Sequence, residues 1–159
     1  NKNLEDYITI SKKNNEVRLS VNGLIKKEDI NKSVETDDIL IQVNSKIVYK
    51  NYEVYDMTIK NKKKQMVMLN KIENNGDLCL LDKDDKEYIS LLDDLSQDDL
   101  ILRSLQEKKV SIKFNKIYSS YSNKIEKIKF KKIVMDYAKY IQNPKDENIQ
   151  NNSVEISIK

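Results

Sequence analysis

Residues 49–69, YKNYEVYDMTIKNKKKQMVML, show how the chain distributes apolar and polar positions. Two strand-length runs, 52–60 and 65–69, flank a polar, lysine-rich connection at 61–64. In the first run Val54, Asp56, Thr58 and Lys60 share one face. Tyr55, Met57 and Ile59 share the other, with Glu53 at its start. A period of two is what a strand in a half-buried antiparallel sheet requires. The stretch therefore predicts a strand pair with lysines at its tip.

The same pattern recurs along the chain. Residues 7–10 form a candidate first strand, and Val17, Leu19 and Val21 alternate before Asn22-Gly23. Ile39, Ile41 and Val43 alternate with Leu40, Gln42 and Asn44, and residues 47–49 continue after the polar Asn44-Ser45. Residues 82–86 are a charged turn between the apolar run 78–81 and a strand at 88–92. Val110, Ile112 and Phe114 form one face; Ile128 and Phe130 alternate with Lys127, Lys129 and Lys131. The two glycines, Gly23 and Gly76, each follow an asparagine. Asn-Gly satisfies the positive φ angles of a tight hairpin turn, so Asn75-Gly76 predicts a hairpin joining 66–72 to 78–81. After Asn22-Gly23, residues 26–31 fit either a strand or a helical turn. Many short strands separated by turn signals imply a β-sandwich or a barrel.

Two segments carry helix signals. Ser96-Gln97-Asp98-Asp99 has capping-box character, with Leu100, Leu102 and Leu105 available to a short helix. Residues 123–141 carry Ile125, Ile128, Met135 and Ala138 without glycine or proline, compatible with helix or strand. We assign strand to 128–134 and a helical turn to 136–141. Pro144 marks the end of a single domain at 1–143. Residues 144–159 are a polar tail in which Val154, Ile156 and Ile158 alternate and can add a last strand.

Composition narrows the chemistry. The 159 residues are 38% hydrophobic and 35% charged, yet the apolar residues cluster in alternating runs, which favours folding over disorder. The net charge of +3 comes from 29 basic and 26 acidic residues spread along the whole length. A nucleic-acid binder needs a concentrated basic surface, so none is expected as a partner. There is no histidine, which removes the commonest general base and metal ligand and any Ser-His or Cys-His nucleophile. The single cysteine, Cys79, lies in an apolar run and reads as a small buried hydrophobe; it cannot form an intrachain disulfide. No cofactor or metal is implied. No run of 18 apolar residues exists. The chain starts at Asn1 without an initiator methionine, so a trimmed or mature chain is expected, from which a signal peptide or anchoring helix could have been removed.

Three groups are candidate sites. Lys60, Lys62, Lys63 and Lys64, with Lys71 and the lysines of 124–132, can form a basic surface for phosphates, anionic lipid or wall polymer. The competing reading is a solubilising loop and edge strand. Asp82, Asp84, Asp85, Asp93, Asp94, Asp98 and Asp99 supply oxygen ligands, but counted from Asp82 they do not fit a twelve-residue calcium loop. Turn solvation is the favoured reading of them, since Asp is a preferred turn residue. Tyr118 and Tyr121, with Tyr137 and Tyr140, can offer amphipathic contact area to a protein partner or lie half-buried at a sheet rim.

The order of these segments resembles the immunoglobulin-like, telokin-like domains of Gram-positive extracytoplasmic proteins. The residues that carry the likeness are Thr58-Ile59-Lys60-Asn61, then Leu80, Asp82 and Tyr88, then Ile112-Lys113-Phe114 and Ile128-Lys129-Phe130. The likeness spans about residues 39–134 and leaves the first 38 unmatched. It implies a mostly β, antiparallel immunoglobulin-like sandwich with one or two short helices. It also implies a non-catalytic extracytoplasmic binding or structural module that contacts an envelope component or protein and meets the membrane only through an anchor. The alternatives are a carboxylate-only hydrolase acting on envelope polysaccharide, or an intracellular protein-interaction module.

Overall fold

The computed structural model describes residues 8–13, 16–21, 24–70, 75–91, 95–115, 124–150 and 152–159. The strands are β1 (Ile8–Lys13), β2 (Glu16–Val21), β3 (Leu24–Glu35), β4 (Ile39–Tyr49), β5 (Tyr52–Asn61) and β6 (Val67–Met68). There follow β7 (Leu78–Asp82), β8 (Glu87–Leu91), β9 (Ile101–Leu102), β10 (Glu107–Asn115) and β11 (Ile125–Ile133), then the helix α1 (Tyr137–Gln142) and β12 (Asn152–Ser157). The protein is mostly β, and every described ladder is antiparallel, as the alternation predicts. Eight strands form one sheet in the order β12-β11-β7-β8-β10-β5-β4-β3, while β1 pairs with β2 and β6 with β9.

The sheet bends at β8. Its first half, Glu87 to Ile89, pairs with Leu81 to Cys79 of β7. Its second half, Ser90 and Leu91, pairs with Phe114 and Lys113 of β10. One strand thus passes from one ladder to the next, which is how β-structures turn a corner. At the far ends β3 and β12 approach each other, so the sheet is a nearly closed, barrel-like surface. Closure gives it one inner face. Tyr55, Met57 and Ile59 of β5, Ile112 and Phe114 of β10, Tyr88 of β8, Leu78 and Leu80 of β7, and Ile128 and Phe130 of β11 are all buried in one core. Tyr55 and Phe114 meet edge to face at 5.6 Å, a favoured aromatic geometry.

β4 runs as one strand through the polar Asn44-Ser45, and 47–49 continues it as the sequence suggests. The ladder to β5 passes from Val43↔Met57 to Ser45↔Asp56, so Asn44 is an extra residue without an opposite number. This β-bulge reverses which parity points inward. Ile39, Ile41 and Val43 are buried before it; Lys46 and Val48 take the inner face after it, opposite Tyr55 and Glu53. The hairpin that follows turns on Lys50-Asn51.

Several expectations need correction. Residues 52–60 and 65–69 do not pair with each other: only Val67 and Met68 form a strand, and their partner is β9. Lys62, Lys63 and Lys64 are therefore not a hairpin tip but part of a crossing between β5 and β6. Asn75-Gly76 does not close a two-residue hairpin; Asn75–Asp77 is a 3-10 turn leading into β7, which pairs with β8 and β11. Asn22-Gly23 lies outside the described residues, while 26–31 fall within β3 and are strand. The capping box at Ser96 and Asp99 forms, but the helix is one 3-10 turn, Gln97–Leu100; Leu102 enters β9, and Leu105 is exposed with a positive φ. β11 lies between β12 and β7 and is not an edge. Its outward lysines face acids instead: Lys127 and Lys129 reach Glu155, and Lys131 reaches Glu87. Strand gives way to α1 after Ile133, where the Asp136 side chain accepts from the Lys139 N–H as an N-cap. β12 joins the core through Val154 and Ile156.

The crossing after β5 is held by Asn61, which is fully buried. Its amide donates to the carbonyls of Gln65 (2.7 Å) and Arg103 (3.0 Å), and its side-chain oxygen accepts from the Lys63 N–H (2.9 Å). Leaving those buried groups unpaired is costly, so we expect Asn61→Ala to lower unfolding free energy by about 2–4 kcal/mol in urea titrations. In the same assay Ile128→Ala, which opens a cavity in the core, costs about 2–5 kcal/mol. Ile141→Ala, at a 60% exposed position of α1, changes stability by less than about 0.5 kcal/mol.

Candidate functional site

The bulge at Asn44 also shapes the outer face. Past it, Ser45 points outward and stands directly opposite Asp56 of β5, which in turn stands opposite Ser111 of β10. Asp29 of β3 lies opposite Ser45, so one row across four strands reads Asp29, Ser45, Asp56, Ser111. The Ser45 hydroxyl donates to one oxygen of Asp56 at 3.1 Å, and the Ser111 hydroxyl donates to the other at 2.5 Å. One turn of the pleat along, the Asn44 amide donates to the Thr58 hydroxyl at 2.9 Å. Gln42, Asn44, Ser45, Asp56, Thr58 and Ser111, with Lys109 and the apolar Met57 and Val110, line a concavity of about 620 Å³ on this face. The row is hydroxyl, amide and carboxylate chemistry, fixed by cross-strand pairing rather than by loops. Toward the hairpin, Tyr49 and Tyr52 stack at 4.7 Å, and Lys113 Nζ lies 5.0 Å from the Tyr52 ring centre.

The inner face has its own polar group. Glu53 is 1% exposed; its carboxylate accepts from the Tyr55 hydroxyl at 3.0 Å and lies 3.5 Å from Lys46 Nζ. A buried carboxylate is tolerable only with such partners. Asp82 is buried at the end of β7, where one oxygen accepts from the N–H groups of Asp84 and Lys86 and the other from the Tyr88 hydroxyl at 3.3 Å. Burial first, then the negative charge of Asp82 and the hydrogen bond to it, push the Tyr88 phenol above its ordinary pKa. These contacts close the β7–β8 turn.

The structure divides the lysine cluster. Lys62 donates to Glu35 and to the Thr36 carbonyl, and holds the Glu35 carboxyl below its usual range. Lys63 reaches the Met135 carbonyl at 3.4 Å and Asp38 at 3.8 Å. Lys60 and Lys64 are exposed. Tyr118, Tyr121, Asp93, Asp94 and Lys71 lie outside the described residues. Tyr137 and Tyr140 stack on α1 at 6.0 Å. Of the acidic groups, Asp82 organises a turn and Asp99 completes a cap, and among the described residues no three acids, cysteines or histidines gather as a metal site. Among the described residues no helix is long and apolar enough to cross a membrane. Asp56 was readable from sequence only as an outward residue of a strand; its serine partners lie 11 and 55 positions away.

No family model matches the chain, and no curated protein matches it. Among solved structures it is similar to a functionally unknown protein from Listeria monocytogenes EGD-e, at 13% identity and a TM-score of 0.53, over 86% of this chain and 87% of that one. It is also similar to a conserved hypothetical protein from Bacillus anthracis, at 15% identity and a TM-score of 0.48, over 65% of this chain and 89% of that one. The Listeria likeness is one of fold.

Cys79 is fully buried between Lys129 of β11 and Ile89 of β8. Burial, with the nearby Glu87 charge, pushes its thiol up to about 11 from 9.0. A pKa raised by folding means stability that is intact below the unfolded value and lost as pH climbs toward the folded one. We therefore expect unfolding free energy to fall by about 2–3 kcal/mol between pH 9 and pH 11 on account of this thiol, and Cys79→Ala to flatten that slope. Ellman's reagent at pH 8 should label Cys79 only in denaturant.

Proposed function

We propose that this chain is a non-catalytic extracytoplasmic binding module whose contact surface is the concave outer face of β4, β5 and β10 around Asp56. The observation that carries the reading is the Asp56 carboxylate, held by Ser45 and Ser111 in a concavity of mixed polar and apolar lining on paired strands. Sites built on paired strands keep their geometry better than sites on loops. The extracytoplasmic setting rests on the resemblance of residues 39–134 to anchored surface domains. The immunoglobulin-like description draws support from β8, whose change of ladder splits the sheet into a β3-β4-β5-β10 half and a β7-β11-β12 half.

A carboxylate-only hydrolase needs two acids flanking one bond, about 5–9.5 Å apart. The concavity is lined by one acid, Asp56. Asp29 stands two strands away, about 10 Å by strand spacing, and Glu53 and Asp82 are on the inner face. The geometry therefore favours recognition over hydrolysis.

Sedimentation of the labelled protein with purified Gram-positive cell envelope tests the reading. The wild type is expected to co-sediment, and Asp56→Ala to weaken the association about tenfold or more, a loss of about 1.4 kcal/mol. A Lys60→Ala, Lys64→Ala double variant should bind as the wild type does. No association, or dependence on the two lysines and not on Asp56, contradicts the proposal.

A further inference from the structure

We infer that the Asp56 face binds a neutral oligosaccharide chain, an assignment of ligand class that rests on the binding reading above. The donors and acceptors on this face point to that class. Ser45 and Ser111 spend their hydroxyl hydrogens on Asp56, so each oxygen is left as an acceptor, Ser111 at an exposed position and Ser45 at a buried one, and half-buried Asp56 keeps acceptor capacity beyond the two bonds it receives. Asn44 uses one amide hydrogen on Thr58 and has a second, and Gln42 adds an amide beside it. A ligand that fits must donate several hydrogen bonds to the Ser–Asp–Ser row and accept others from the neighbouring amides. Sugar hydroxyls do both from one atom.

Other classes fit less well. A phosphorylated polymer or nucleic acid would bring its negative charge against Asp56. A polyamine would meet that carboxylate with Lys109 in the same lining and Lys113 further along the strip. An extended peptide binds by adding to a sheet edge, whereas β5 is already hydrogen-bonded to β4 and β10 on both sides. The strip is also long. From Tyr52 to Thr58 it runs about 20 Å along β5 at strand rise, with the Tyr49–Tyr52 pair supplying amphipathic aromatic area at one end. A linear chain of several rings matches this form better than a single small molecule does.

A glycan array carrying neutral, amino and acidic oligosaccharides, probed with the labelled protein and followed by titration calorimetry on any glycan retained, tests the assignment. Retention of neutral oligosaccharides, weakened about tenfold or more by Asp56→Asn and by Gln42→Ala, is the expected result. Both variants must keep the wild-type circular dichroism and melting curve; the two substitutions change different groups, so loss of fold in one leaves the other to decide. Titrations with spermidine and inorganic phosphate run alongside. If spermidine or phosphate binds in an Asp56-dependent way and no neutral glycan does, the sugar assignment is overturned while the site stands. If no glycan binds although envelope sedimentation still depends on Asp56, the sugar assignment is again overturned. Binding of glycans that ignores Asp56 overturns both.

Discussion

The extra residue at Asn44 is the constraint on which both faces of the sheet depend. A strand alternates strictly, so β4 can serve the core along its whole length only if the residues of one parity are apolar throughout. That parity is interrupted at Ser45, which follows Ile39, Ile41 and Val43. The bulge exchanges the parities there, so that Ser45, Ile47 and Tyr49 turn outward while Lys46 and Val48 turn inward. Ser45 is moved outward beside Asp56, where its hydroxyl has a partner. Lys46 is moved inward, 3.5 Å from the buried carboxylate of Glu53. One inserted residue thus supplies a hydroxyl to the outer concavity and a cation to the inner acid.

The second constraint is closure. An open sheet of eight strands leaves one apolar face to cover, and among the described residues the only α-helix, α1, buries none of its own residues. The sheet covers that face with itself. β8 turns the corner between two ladders, and β3 and β12 approach at the other side. The charged outer face follows: once the inner positions are filled with Ile, Leu, Val, Phe and Tyr, the outer ones carry lysines and acids paired across strands, as Lys127 and Lys129 are with Glu155.

Period-two alternation made β5 and β10 legible in the sequence almost residue by residue, because each is regular and has one core face. The capping box at Ser96 was legible because its partner is three residues away, and the helical turn at 136–141 was read without the cap that Asp136 gives it. The pairings were not. Asn75-Gly76 carries the local chemistry of a hairpin, yet β6 finds its partner in β9 across more than thirty residues, and the local signal does not encode that choice. The lysines of 60–64 form one block in sequence and separate in space, because Lys62 turns to Glu35 and Thr36 while Lys63 turns to Met135. The same holds for the candidate site. Asp56 gains its meaning from Ser45 and Ser111, residues that only the β4–β5–β10 register brings beside it.

The exchange of parity at Asn44 is tested most directly by a nuclear Overhauser spectrum of the assigned protein. With the bulge in place, the Lys46 side chain gives cross-peaks to the Tyr55 ring, whose centre lies 6.0 Å from its ammonium, and its methylene signals are shifted upfield by that ring. The Ser45 β-protons meanwhile contact Asp56 on the opposite face. A Lys46 side chain with solvent-like shifts and no contact to Tyr55, together with Ser45 cross-peaks to core residues, would mean a regular β4 and would contradict the account of both faces.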